Sequence, residues 1–256
     1  MVFDLLASEW IKLRSVRSSY WTALAAAVVA VAVAVMTTES VVGAWDRLPA
    51  EARAGFDPLW VSLSGLVLVQ LVVGVLGVLA ISAEHATGTI HTTFAAVPRR
   101  RTVLAAKAAV VGSVALLGGG LIAAAAFLTG QRVLAARGLG IGLWHPGVPR
   151  GLLAAGFFLC VMGLLGLGAG AVVRHTAGAV AVLFVLVFIV PAVADALPSP
   201  WDARVGAWTL TGAGRQMVAL VPTGGHLGPG ASALVCAGYA AAALLAAGLL
   251  VTRRDP

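Results

Sequence analysis

Six apolar stretches, each close to the length a helix needs to cross a bilayer, dominate this chain. They occupy 20–36, 59–82, 103–129, 151–173, 177–197 and 231–251. A spanning helix needs about 20 mostly apolar residues. Lipid offers no partner for a backbone N–H or C=O, so a run of that kind has to be helical. The remaining composition agrees, with 60% of residues hydrophobic and only 11% charged. A soluble domain carries roughly 25% charged residues to coat its surface. Soluble enzymes and disordered chains are both excluded by these numbers. The fold class expected is an all-α integral membrane protein with six transmembrane helices, forming a single membrane domain over 1–256.

Orientation follows from the basic residues. With the N-terminus inside, the inner segments hold Lys12, Arg14, Arg17, Arg99, Arg100, Arg101, Lys107, Arg174, Arg253 and Arg254. The outer segments hold Arg47, Arg53, Arg132, Arg137, Arg150, Arg204 and Arg215. Acidic residues divide four inside and six outside, so the inner net charge is +6 and the outer +1. The dense run Arg99–Arg101 beside a helix end weighs most in the positive-inside rule. Both termini are therefore expected to be cytoplasmic, and the overall charge of +7 is read as cytoplasmic loops rather than nucleic-acid binding. A cleavable signal peptide is the competing reading of residues 1–36. Its n-region would be unusually long, and the later spans are as apolar as the first.

Residues 1–19 read as an interfacial helix. Val2, Phe3, Leu6, Trp10 and Leu13 share one face, with Asp4, Ser8, Lys12 and Ser15 opposite and Glu9 and Arg14 at the edges. Such a segment lies on the leaflet surface and leads into the first span. A basic topogenic N-terminus with no further role is the plainer alternative. Tyr20 and Trp21 suit an interfacial anchor. Lys107, inside the third run, has a stem long enough to snorkel back to the interface.

Catalytic patterns are missing. No G-x-x-x-x-G-K-[ST] occurs, so no P-loop on this stretch of chain hydrolyses ATP. Glu84, His85 and His91 do not form H-E-x-x-H, and histidines six apart lie on opposite sides of a helix. Ser62 and Ser64 lack the glycine that a G-x-S-G nucleophile needs. Cys160 and Cys236 sit inside apolar runs, which favours neither a disulfide framework nor a zinc site. Gln70 is the only strongly polar side chain deep in a span, with Asp195 near the outer end of the fifth; ion-coupled carriers need more than this. Gly163, Gly166, Gly168 and Gly170, with Gly118–Gly120, read as close helix packing, a pathway lining being the other possibility. Only two of the 17 basic residues are lysines and asparagine is absent. That is the residue usage of GC-rich codons, as in an actinomycete.

The inner loop between spans two and three is the most informative stretch. It runs from Glu84 through Gly88, Thr89, Ile90, Phe94 and Pro98 to Arg99, Arg100 and Arg101, with Lys107 beyond. Residues 84–96 can form a short helix that Pro98 stops. Ile90, Phe94 and Val97 recur at helical spacing, which leaves a stub with one apolar face.

This pattern resembles the inner loop of ABC-2 type transporter permeases, E-x-x-x-G-T-[ILV]-x-x-[TL] followed by P-x-x-R and K. Glu84, Gly88, Thr89, Ile90, Pro98, Arg101 and Lys107 fit it. Ser8–Ser15 is similar to the family's membrane-surface segment, and Arg253-Arg254-Asp255 to a common ending of actinobacterial members. The resemblance covers essentially the whole chain. It implies a six-span half-permease of the bacterial cell membrane that forms an export pathway with a second copy or a paralogue. ATP and Mg would be bound by separate ABC ATPase subunits, and this chain would carry no cofactor. Glu84–Ala96 would be the first coupling helix, with Glu84, Gly88, Thr89, Ile90 and Phe94 as ATPase-coupling residues. Arg174 and His175 would form a second, minor contact. The segment 198–230 would contain short re-entrant helices on the outer side. Arg99, Arg100, Arg101 and Lys107 would set topology and touch membrane lipids. The cargo would be a small molecule, a peptide or a lipid, which the sequence does not single out. The alternatives are an ATP-independent secondary transporter or channel, and a non-catalytic membrane assembly factor.

Overall fold

The computed structural model describes residues 2–15, 17–86, 100–221 and 227–253. It is helical, with no strand among the described residues. Helix α1 spans Val2–Ser15 and α2 Arg17–Ala44. Two short helices follow, α3 (Ala50–Ala54) and α4 (Pro58–Ser62). The long helices α5 (Leu66–Ala86), α6 (Arg100–Ala135) and α7 (Val148–Val173) come next. Helix α8 (Thr176–Phe184) continues through a π turn at Val185–Ile189 into α9 (Val190–Asp195). The chain then forms α10 (Trp201–Trp208), α11 (Leu210–Val218) and α12 (Pro229–Arg253). Six of these units are long and apolar enough to cross a membrane: α2, α5, α6, α7, α8–α9 and α12.

The boundaries differ from the apolar runs for local reasons. The first spanning helix, α2, does not stop near residue 36 but continues to Ala44. Thr37, Thr38 and Ser40 return their hydroxyls to the carbonyls of Val33, Ala34 and Met36, so these polar residues do not end it. The run 59–82 is two helices, broken at 63–65. There Gly65 lies so close to the backbone of Ala30 that no Cβ would fit. Pro191 has no N–H to give, and the wide π turn lies just before it, where the regular ladder is interrupted.

The spanning helices run alternately up and down, and α7 is the hub. It packs against α5, α6, α11 and α12, and most of its residues are buried. Close approach explains its glycines. A Cβ on Gly166 would strike the carbonyl of Gly74, and one on Gly77 the carbonyl of Gly163. The stripe Gly163–Gly170 is therefore a packing surface, with Gly170 against Val78 and Gly168 against Ala243. Gly118 departs from the packing expectation, because an added Cβ there would meet nothing within 4 Å, whereas Gly119 lies against Leu159 and the backbone of Gly120 lies against Gly156.

Exposed tryptophan and tyrosine residues collect at the two ends of the bundle. Trp10, Tyr20 and Trp21 lie at the end that carries α1, and Trp144, Trp201 and Trp208 at the other. Two such belts are what a bilayer's interfaces select. At the far end, α10 and α11 fold back over the bundle, with Leu210, Ala213, Met217 and Val218 buried. Polar groups stitch this end together. Asp57 caps α4 through Trp60 N and accepts from Leu220 N (2.6 Å) and Val221 N (3.1 Å). Arg150 donates to the carbonyls of Met217 and Ala219. Gln131 donates to Pro58 O and Ser62 Oγ and accepts from Ile141 N. Deeper in the bundle, Gln70 is buried but donates to the carbonyl of Val67 on its own helix.

Candidate functional site

At the α1 end, four charged side chains from three helices meet. Helix α1 packs its Leu5 and Leu6 on Val103 and Ala106 of α6, which turns Glu9, one helical turn on from Leu5, inward. Glu84 ends the apolar part of α5. Lys107 lies two turns inside α6, because that helix starts at Arg100.

Lys107 does not snorkel. It is 4% exposed, and its Nζ donates to Glu9 Oε2 at 2.6 Å and to Glu84 Oε1 at 2.7 Å. Lys12 Nζ completes the cluster, 2.8 Å from Glu9 Oε1 and 3.0 Å from Glu84 Oε1. Two carboxylates and two ammonium groups sum to zero charge. A lone buried ion would cost several kcal/mol, so the set is tolerable only when complete. These are the chain's only lysines, and the residue type matters. A tetrahedral ammonium can bridge carboxylates from different helices, whereas a planar guanidinium favours one bidentate partner.

Burial weighs against charge on Lys12. The hydrogen bonds and attraction from Glu9 and Glu84 outweigh it and raise the Lys12 pKa above its ordinary 10.5. One buried oxygen of the cluster, Glu84 Oε2, has no hydrogen-bond partner among the described residues.

The cluster closes one end of a slot of about 480 Å³ between α2, α5 and α6. Its walls are apolar, with Val72 and Ala80 from α5, Val111, Gly118 and Ile122 from α6, and Ala26 from α2. The opening of Gly118 onto this slot explains why a Cβ there would meet no neighbour.

The sequence-derived site residues fall in different places. Glu84 and Lys107 belong to the cluster. Gly88, Thr89, Ile90, Phe94 and Arg99 lie outside the described residues, as does most of the expected 84–96 helix. Arg100 begins α6, and Arg101 is exposed on its first turn. Arg174 ends α7 in the left-handed region, with φ 58°. His175 is exposed, and its ring nitrogen caps α8 by accepting from Gly178 N. Thr176 in the same turn donates to Ser82 Oγ at 2.9 Å, which fastens this turn to α5 two residues before Glu84.

Sequence reasoning missed Glu9 and Lys12 as site residues. The usable signal was an acidic residue at the edge of the apolar face of α1, with a lysine three residues on. Of the apolar face expected on α1, the side chains of Val2, Phe3 and Leu13 lie outside the described residues. Leu5 and Glu9 point inward, whereas Trp10 and Ile11 are exposed. Among the described residues, no group of three or more His, Cys, Asp or Glu could hold a metal ion. Compared with known proteins, the chain matches no family model and no curated relative.

Proposed function

We propose that this chain is the membrane-spanning permease subunit of an ATP-driven exporter of the ABC-2 kind, in a bacterial plasma membrane. In this reading both termini and the 87–99 connection face the cytoplasm, and α1 lies along the inner leaflet. The pathway forms with a second copy or a paralogue, and separate ATPase subunits dock on the 84–96 stub. The single observation that carries the reading is the buried charge cluster at the stems of that connection. Glu84 precedes the connection, Lys107 follows it, and Glu9 and Lys12 tie both stems to α1. A push on the connection would therefore move α1, α5 and α6 together, since separating α5 or α6 leaves an unpaired buried charge and separating α1 strips one partner each from Glu84 and Lys107. The Thr176–Ser82 bond supports the second contact at Arg174 and His175, because it links their turn to the same stem.

The test is co-purification with an ATPase subunit together with ATP-driven export. Replacing 84–96 should release the ATPase, and Gly88→Trp should leave insertion intact while abolishing export. Unchanged transport in both would overturn the coupling role. Buried carboxylates beside a slot are also what a proton-coupled carrier uses, which is the observation that favours the second reading. Uptake driven by a pH gradient in vesicles without any ATPase would select it.

A further inference from the structure

The slot between α2, α5 and α6 has the length of one extended lipid acyl chain. Along α5 it reaches from Glu84 to Val72, and along α6 from Lys107 to Ile122. At 1.5 Å per residue these are about 18 and 22 Å. Half of a hydrocarbon core is about 15 Å, so the slot runs from the interface past the bilayer midplane. Trp10, Tyr20 and Trp21 stand exposed at the charged end and set that end at headgroup depth. Tyr20 and Trp21 immediately precede Thr22 and Ala23, which line the slot.

The charged end is selective in principle. Lys12 remains 43% exposed, and its bonds to Glu9 and Glu84 use two of its three N–H groups. Glu84 Oε2 is a buried acceptor with no partner among the described residues. A carboxylate oxygen left without a donor in an apolar setting is costly. The mouth therefore presents Lys12 as a donor for an anion and, beside it, the buried Glu84 Oε2 as an acceptor that a cation meets once the Glu84 side chain turns toward the slot, with no net charge of its own. That complements a zwitterion better than a purely anionic head.

We propose that this slot binds one acyl chain of an aminophospholipid, its primary ammonium donating to Glu84 Oε2 and its phosphate accepting from Lys12. The lipid is a resident of the leaflet on the α1 side. The site needs neither ATP nor a partner, so its failure and the failure of the exporter reading are separable.

Native mass spectrometry of the purified chain, given phosphatidylethanolamine or phosphatidylcholine with identical acyl chains, tests this. The two differ in that the quaternary ammonium of phosphatidylcholine has no N–H. One phosphatidylethanolamine per chain should be retained, about tenfold over phosphatidylcholine, the factor one charge-assisted hydrogen bond supplies. Gly118→Leu places a side chain in the slot where nothing else stands, and should remove retention of both lipids while the melting temperature holds. Ala80→Phe does the same from α5 and serves if the first variant misfolds. Glu84→Gln should lower the preference and keep chain binding. Equal retention of the two lipids, no retention by the unaltered chain, or a Gly118→Leu protein that retains lipid as before would overturn the proposal.

Discussion

Replacing Lys107 with methionine keeps the length of its stem and deletes the charge that joins α6 to both α1 and α5. Two unit charges about 4 Å apart attract by roughly 4 kcal/mol at an effective dielectric near 20. Lys107 makes two such contacts, at 2.6 and 2.7 Å, so the gross attraction is large. Desolvation of the three ions offsets most of it. What decides the outcome is the state left behind: Glu9 and Glu84 would share only Lys12, leaving one uncompensated charge among buried groups. Breaking a buried pair this way costs about 3–5 kcal/mol. Lys12→Met removes an equal charge from the same carboxylates, but Lys12 is 43% exposed, and water screens its contribution to about 0–1 kcal/mol. The double variant Glu9→Gln/Lys107→Met deletes one charge of each sign and restores neutrality. It should be less destabilised than the single changes sum to, with a coupling of about 1–3 kcal/mol. The measurement is reversible unfolding in mixed micelles, paired with limited proteolysis of residues 2–15, which should open first. Equal costs for the Lys107 and Lys12 variants, or strict additivity in the double variant, would refute the claim that burial makes Lys107 the keystone.

Other expected outcomes are narrower. Gly166→Leu drives a side chain into the carbonyl of Gly74 and should cost at least about 1–3 kcal/mol, or prevent folding, whereas Gly118→Leu should be tolerated; thermal melts of the two in one detergent make the comparison. Asp57→Ala removes the α4 cap and the acceptor for Leu220 N and Val221 N. A loss of about 2–3 kcal/mol is expected, with faster amide exchange at those two positions. Thr176→Val leaves buried Ser82 without its donor and should cost about 1–3 kcal/mol, read as a lower melting temperature. The raised pKa of Lys12 fixes the sign of one pH effect. Its contribution to docking α1 is complete below its ordinary 10.5 and is lost only as pH rises through the higher folded value, so proteolysis of α1 should be flat from neutral pH to about 9.

The membrane-spanning architecture is legible in the linear chain because hydropathy is a local property. An apolar run of sufficient length has no other stable solution in lipid, so the six runs could be placed before any contact was known. Their ends were harder to place. Thr37, Thr38 and Ser40 look like a stop, yet each satisfies itself on its own helix, and that happens only once the backbone is already helical. The glycine stripe on α7 carried its packing meaning in the sequence, whereas Gly118, on α6, needed the neighbouring helices to reveal the slot it borders.

By itself the sequence determined a helical chain with six runs long and apolar enough to span a membrane, little charge in those runs, and a loop between the second and third that resembles a known family's pattern. Only the tertiary structure decided what the scarce charge does. Glu9 and Lys107 are 98 residues apart, and Lys12 and Glu84 are 72 apart, distances over which no local pattern reports a contact. A lysine stem near a helix end suits snorkelling and burial equally well, and the choice depends on whether carboxylates from other helices arrive beside it. Here two did, so Lys107 is held inside the bundle rather than at its surface.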